Sequence, residues 1–233
     1  MTGRSPAVRH TRRVVVLRHG ETTDNAANIW QGHRDSELSE RGLAQAAAAA
    51  PVLACYRPAL IVSSDLSRAA RTATALAAVT GLPVRLDERL REVHVGQWQG
   101  RSGPDIHAEY PELVTALGRG EDIRRGVTGE TVADVAVRVG AALDDVVASL
   151  GPGETAIVST HGVASRAAVA GLCGIGQMEA FSWLQGLGNC HWAVVVESRP
   201  GLASGGATPW RIEGWNLSAT VAVGDLGGPG ASG

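Results

Sequence analysis

Two histidines, each followed by glycine and each preceded by an apolar run, are the residues of this chain best placed to do chemistry. The first lies in Leu17-Arg18-His19-Gly20-Glu21-Thr22, directly after Val14-Val15-Val16. The second closes Ala156-Ile157-Val158-Ser159-Thr160-His161-Gly162. An imidazole beside a guanidinium is a poor metal site, because the fixed positive charge repels a cation. It suits phosphate, since a guanidinium fork matches phosphate oxygens and a neutral imidazole can attack phosphorus. A third apolar run, Leu60-Ile61-Val62-Ser63, leads through Ser64-Asp65-Leu66-Ser67 into Arg68. One histidine at a strand end is more often structural than catalytic. Two His-Gly ends together with two arginines are hard to assign to chance.

These residues need a scaffold that brings distant segments to one place. Continuous β-branched runs bounded by glycine read as strands buried on both faces of a parallel sheet. Open α/β sheets bind ligands at the carboxyl ends of such strands. Three parallel strands then deliver Arg18, His19, Arg68 and His161 to one sheet edge. Crossover helices are expected over about 40–50, 67–80, 131–150 and 163–172, with Ser67 a candidate N-cap and Gly81-Leu82-Pro83 a stop signal. A short strand is expected at 84–86, and late strands at 192–197 and 210–215 joined by a loop over 200–209. Residues 101–130 carry Gly103-Pro104, Pro111 and Gly118, and read as an irregular helical insertion. There is no internal repeat and no domain boundary. One domain over 12–223 is expected, flanked by flexible tails at 1–11 and 224–233.

The constellation resembles the histidine phosphatase superfamily, the phosphoglycerate mutase-like proteins of branch 1, over most of the chain. Leu17 to Thr22 matches the family signature, with Asn25 at the place of its phosphate-contacting Asn. Ser63 to Ala73 resembles the second-arginine motif. Leu90-Arg91-Glu92-Val93-His94-Val95-Gly96-Gln97-Trp98-Gln99-Gly100 resembles the segment carrying the family's acid. Gly129-Glu130-Thr131 with Asp134 and Arg138 resembles the lead into a core helix, and His161-Gly162 matches the second histidine. Arg71 and Gln99 depart from the common Gln and Glu, and Ser36-Glu37-Leu38 replaces the usual Pro-Leu step. None of these touches a phosphate-handling residue. The resemblance implies a three-layer α/β/α sandwich with a mostly parallel central sheet, and an insertion over 101–130 that roofs the pocket.

It also implies roles. His19 is the nucleophile that forms a phosphohistidine, with its other nitrogen donating to a backbone carbonyl and the arginines lowering its pKa. Arg18 and Arg68 bind the phosphoryl oxygens, and Asn25 and the backbone N–H groups from Gly162 onward add donors. His161 donates to a phosphoryl oxygen. Glu92 is the general acid, which requires a proton held near neutrality. Gln31 is a candidate substrate contact, although a plain loop glutamine is nearly as good a reading. Competing readings are ion pairing of Glu92 with Arg89 or Arg91, and zinc ligation by Asp65, His94 and Glu21 with the two histidines. The two arginines disfavour zinc.

Composition narrows the field further. The 233 residues contain no lysine, which excludes a Schiff-base mechanism, a pyridoxal-phosphate lysine and a Walker-type loop. A net charge of −2 gives no reason to expect nucleic acid or an anionic membrane as partner. Cys55, Cys173 and Cys190 are an odd number without a Cys-x-x-Cys pair, and read as reduced residues of a cytoplasmic protein rather than as nucleophiles. No signal peptide or membrane-spanning run is expected. The leading expectation is a metal-independent phosphatase, without cofactor, acting on a small phosphorylated metabolite; a homodimer is left open. Within the family, the segments 29–32, 186–189 and 210–216 stand closest to an actinobacterial branch that acts on a glucosylated phosphoglycerate. The alternatives are a cofactor-dependent phosphoglycerate mutase and an inactive scaffold that binds phosphorylated ligands.

Overall fold

A computed structural model describes residues 11–198 and 210–219. Its centre is β1 (Arg13–Arg18), in which Val14, Val15, Val16 and Leu17 are all buried. It pairs in parallel with β4 (Thr155–Thr160) and antiparallel with β5 (Trp192–Glu197). On the far side of β4 lie β2 (Leu60–Ser63) and then β3 (Val84–Leu86), both parallel to it. β6 (Trp210–Leu217) adds an antiparallel edge beside β5. The order among the described residues is therefore β3-β2-β4-β1-β5-β6.

The pleat explains why these strands read as unbroken apolar runs. Successive side chains point to opposite faces, and both faces are covered. Val14 and Val16 join Val62, Ala156 and Val158 in a core with α6 (Val132–Ala148) and α7 (Gly162–Cys173). Val15 and Leu17 join Ile61 and Ile157 in a second core with α2 (Glu40–Ala54) and α3 (Ser67–Thr80). The result is an α/β/α sandwich with the mixed sheet at its centre, as the sequence leads one to expect.

Helix boundaries differ in instructive ways. α2 runs past Pro51 to Ala54, not to 50. Pro51 removes one bond of the helical ladder, yet the helix continues over it and buries Leu53, which is 1% exposed. α3 has the expected span and ends on Gly81 at φ 72°, a left-handed cap. Ser67 is not its N-cap. Leu66 holds that place without a side-chain bond, and Asp35, from a distant loop, accepts from both the N–H and the hydroxyl of Ser67 at 2.9 and 2.7 Å. The insertion contains α4 (Gly103–Glu109) and α5 (Pro111–Gly118). Two short helices, α1 (Thr23–Ala26) and α8 (Gln177–Trp183), were not expected; each buries at most one residue and so leaves no periodic apolar signal. β6 extends two residues beyond the expected 215. The expected loop 200–209 and the tail 224–233 lie outside the described residues, as does 1–11 apart from Thr11. No helix among the described residues is long and apolar enough to cross a membrane.

Candidate active site

Strand register builds the site. Arg18 on β1 faces Thr160 on β4, so the next residue of each strand, His19 and His161, emerge side by side. Their ring centroids are 5.1 Å apart. His19 Nδ1 lies 2.7 Å from the carbonyl of Gly20. A carbonyl only accepts, so Nδ1 carries the proton and Nε2 keeps its lone pair. His161 is held from both sides, with Arg68 Nε donating to its Nδ1 at 3.2 Å and its Nε2 2.9 Å from Ser64 Oγ. Since a guanidinium only donates, the proton of His161 is on Nε2 and is directed at Ser64.

The two arginines surround this pair. Arg68 is 1% exposed; its Nη1 and Nη2 donate to the carbonyls of Arg34 and Gly32 at 3.0 and 2.8 Å. A guanidinium has five N–H groups, so with Nε on His161 two remain for a ligand. Arg18 Nη1 donates to the carbonyl of Leu187 at 2.6 Å, while its buried Nε has no partner among the described residues. A Cβ placed on Gly162 would stand 3.4 Å from Glu92 Oε2 and 3.8 Å from Arg18 Nε, so the missing side chain keeps the space between acid and guanidinium open.

Glu92 itself sits on the start of α7. Its carboxylate accepts from Gly162 N at 2.9 Å, Val163 N at 3.1 Å and Ala164 N at 3.2 Å. A helix N-terminus has unpaired N–H groups and favours an anion. The ion pairs that could have made Glu92 structural are not formed: Arg89 donates to Asp87 and Asp145, and Arg91 to Asp65. The backbone of the Glu92 segment is clamped by Arg138, which donates to the carbonyls of Arg89, Arg91 and Glu92 at 2.8, 2.6 and 2.7 Å. Glu130 holds Arg138 through two bonds of 2.8 Å and accepts from His94 N at 2.8 Å. His33 Nε2 reaches the same Glu92 carbonyl at 2.7 Å. The sequence places Glu130 and Arg138 in a motif but says nothing of this clamp, because carbonyl acceptors carry no side-chain signature. Ser64, inside the second-arginine motif but given no role there, and Leu187, which acts through its carbonyl, are missed for related reasons.

The remaining candidates come from α1 and the loop that follows it. Asn25 caps α1 in a capping box with Thr22, and its Oδ1 also accepts from Asn189 Nδ2, which in turn reaches the carbonyl of His19. Gln31 is buried beside the Gly32 that anchors Arg68, and its Oε1 has no partner among the described residues. The alternative zinc set is engaged elsewhere. Asp65 pairs with Arg91, Glu21 with Ser39 and Arg41, and His94 packs edge-on against His33. Arg71 pairs with Glu37 on the surface. Burial pushes the Cys173 and Cys190 thiols up to about 11 and about 12, so neither is a thiolate nucleophile near neutrality.

Burial, then Arg68 and Arg18, holds His19 well below the ordinary histidine range, against a smaller opposing effect of its bond to Gly20. Burial and then Arg68 do the same to His161. The unfolded chain therefore binds protons below about pH 6.5 that the folded chain does not, and stability must fall as pH drops through that window. The expected denaturant midpoint is level above about pH 7 and declines toward about pH 5, with a shallower decline in His161→Gln. An equally steep decline in that variant would put the titrating groups elsewhere.

Two neutral imidazoles, one with a free nitrogen, the buried Arg68 and half-buried Arg18 with unused donors, and a carboxylate at a helix start form a site for a phosphoryl group. The histidine phosphatase superfamily (branch 1) family model matches residues 14–204, and the chain belongs to that superfamily. It is an enzyme of the phosphoric monoester hydrolase class. The chain is 38% identical over 221 residues to glucosyl-3-phosphoglycerate phosphatase of Mycolicibacterium vanbaalenii, covering 91% of this chain and 97% of the relative. A solved structure of mycobacterial glucosyl-3-phosphoglycerate phosphatase in complex with VO3 superposes with a TM-score of 0.79 at 39% identity, covering 89% of this chain and 100% of that one. A probable phosphoglycerate mutase of Erwinia tasmaniensis is 32% identical over 213 residues, covering 91% of this chain and 94% of the relative.

Proposed function

We propose that this enzyme hydrolyses glucosyl-3-phosphoglycerate, or a closely similar phosphorylated glycerate, through a phosphohistidine formed on His19. The observation that carries the mechanism is the tautomer of His19. Its proton is tied to the Gly20 carbonyl, and its burial among arginines keeps the other nitrogen unprotonated. That nitrogen attacks phosphorus in line, forming the N–P bond as the bond to the ester oxygen breaks. Charge growing on the phosphoryl oxygens is met by the free N–H groups of Arg18 and Arg68 and by the amide of Asn25. His161 contributes by sharing its Nε2–H between Ser64 and a phosphoryl oxygen. The phosphate ester brings one proton into the site; Glu92, at the helix start that also attracts phosphate, takes that proton and passes it to the leaving alkoxide. Glu92 then takes a proton from water as that water attacks the phosphohistidine, releasing inorganic phosphate and restoring His19. The likeness to the mycobacterial relatives over nearly their whole length supports the substrate.

The test is a panel of phosphate esters assayed for phosphate release with and without a chelator. Glucosyl-3-phosphoglycerate is expected to give the highest kcat/KM, unchanged by exhaustive chelation, because arginine and histidine donors supply the charge. Activity lost to chelation and restored by zinc or manganese would overturn the mechanism. Interconversion of 2- and 3-phosphoglycerate without phosphate release would make the enzyme a mutase.

A further inference from the structure

Beside the start of α7 lies a cavity of about 430 Å³ whose positive charge the phosphoryl chemistry does not use. Trp30, Val163, Met178 and Phe181 provide apolar wall, and Arg125 and Arg166 provide two guanidinium groups. Val163 belongs to both places, since its N–H bonds the Glu92 carboxylate while its side lines the cavity. Arg166 follows three residues later on the same helix face. Its guanidinium carbon lies 3.9 Å from the Phe181 ring centroid, which fixes the plane of the fork. Its buried Nε has no hydrogen-bond partner among the described residues.

Arg125 is more deeply buried, at 4% exposure. The carboxylate nearest to it, Asp122, is 3.8 Å away and already accepts from Val132 N and Ala133 N at the start of α6. At the rim, Arg119 and Glu121 neutralise each other at 2.6 Å. Burial lowers the affinity of Arg166 for its proton, and the positive charges of Arg125 and Arg18 act in the same direction against the attraction of Glu92. Burying cations near one another is costly unless an anion joins them. A planar carboxylate fits a guanidinium fork through two parallel bonds.

We propose that Arg125 and Arg166 form a carboxylate subsite, which selects phosphate esters of hydroxy acids by holding the acid group of the leaving alcohol. The inference rests on the phosphatase reading and adds to it the residues that choose the substrate. The alcohol would enter across Val163, with its phosphate between Arg18, Arg68 and His19 and its carboxylate one helical turn further along.

The experiment compares kcat/KM for 3-phosphoglycerate and glycerol 3-phosphate, which differ by a carboxylate in place of a hydroxymethyl group. The wild-type enzyme is expected to prefer the acid. Arg166→Met and Arg125→Met should each shrink the ratio of the two values by about tenfold to a hundredfold, and Arg166→Lys should restore part of it. Circular dichroism and the thermal midpoint check folding; should the buried Arg125 variant fail to fold, the less buried Arg166 pair of variants decides. A wild-type ratio near unity, or equal losses on both esters, overturns the subsite. Failure of the wild-type enzyme to release phosphate from these esters and from p-nitrophenyl phosphate sinks the phosphatase reading itself, and the subsite with it.

Discussion

His19→Ala is expected to abolish turnover, with a loss of at least about 10⁴ in kcat, the scale seen when a covalent nucleophile is removed. Nothing else in the site can replace the free Nε2. The proton of His161 points to Ser64 and its Nδ1 accepts from Arg68, so neither of its nitrogens is open for attack. The variant should still fold, because β1 is anchored by Val14 to Leu17 rather than by the imidazole, and should still bind phosphate weakly through the arginines. The decisive measurement is chemical. Wild-type enzyme quenched after mixing with labelled substrate should carry a label that is lost in acid and kept in base, as a phosphoramidate requires. The variant should carry none. A label on serine, aspartate or cysteine would refute the assignment, and persistence of a phosphohistidine in His19→Ala would move the nucleophile to His161.

The parts of this site that are legible in the sequence are those whose position follows from strand register. His19 and His161 are visible because each closes an apolar run, and adjacent parallel strands in register bring such endings together. Arg68 is visible because a third run leads into it, and β2 pairs with β4. Glu92 is different. It reaches the site from a loop between two 3-10 turns, and only the family resemblance points to it. Its actual seat, on the N–H groups of Gly162, Val163 and Ala164, joins segments some seventy residues apart through backbone donors that every residue type possesses. The clamp by Arg138 is hidden for the same reason. At the level of the fold, the misreadings are local. Pro51 looks like a stop, yet the helix runs on past it to bury Leu53, and Ser67 looks like a cap until Asp35, more than thirty residues away, takes the role. Propensity is read from neighbours, and tertiary contacts overrule it at the ends of elements.

Glu92→Gln should then separate a proton donor from a residue that shapes the helix start. A glutamine with its amide oxygen at the Oε2 place can still accept from Gly162 N at 2.9 Å and Val163 N at 3.3 Å, so part of the seat on α7 is kept while the transferable proton is lost. If Glu92 protonates the leaving group, cleavage of an alkyl ester such as a glycerate phosphate should slow by about 10²–10⁴, the usual worth of general acid catalysis. p-Nitrophenyl phosphate leaves as a stabilised phenolate and needs little protonation, so its phosphoryl transfer to His19 should suffer far less. Steady-state turnover would blur the contrast, because Glu92 also activates the water that clears the phosphohistidine. The comparison therefore has to be made in single turnover, as the burst of p-nitrophenol against the first cleavage of the alkyl ester. A loss confined to the alkyl ester identifies the acid, and the phosphohistidine should then accumulate in the variant during p-nitrophenyl phosphate turnover. Equal losses on both esters would mean that the carboxylate serves only to hold Gly162, Val163 and Ala164 in place, leaving the proton to come from elsewhere.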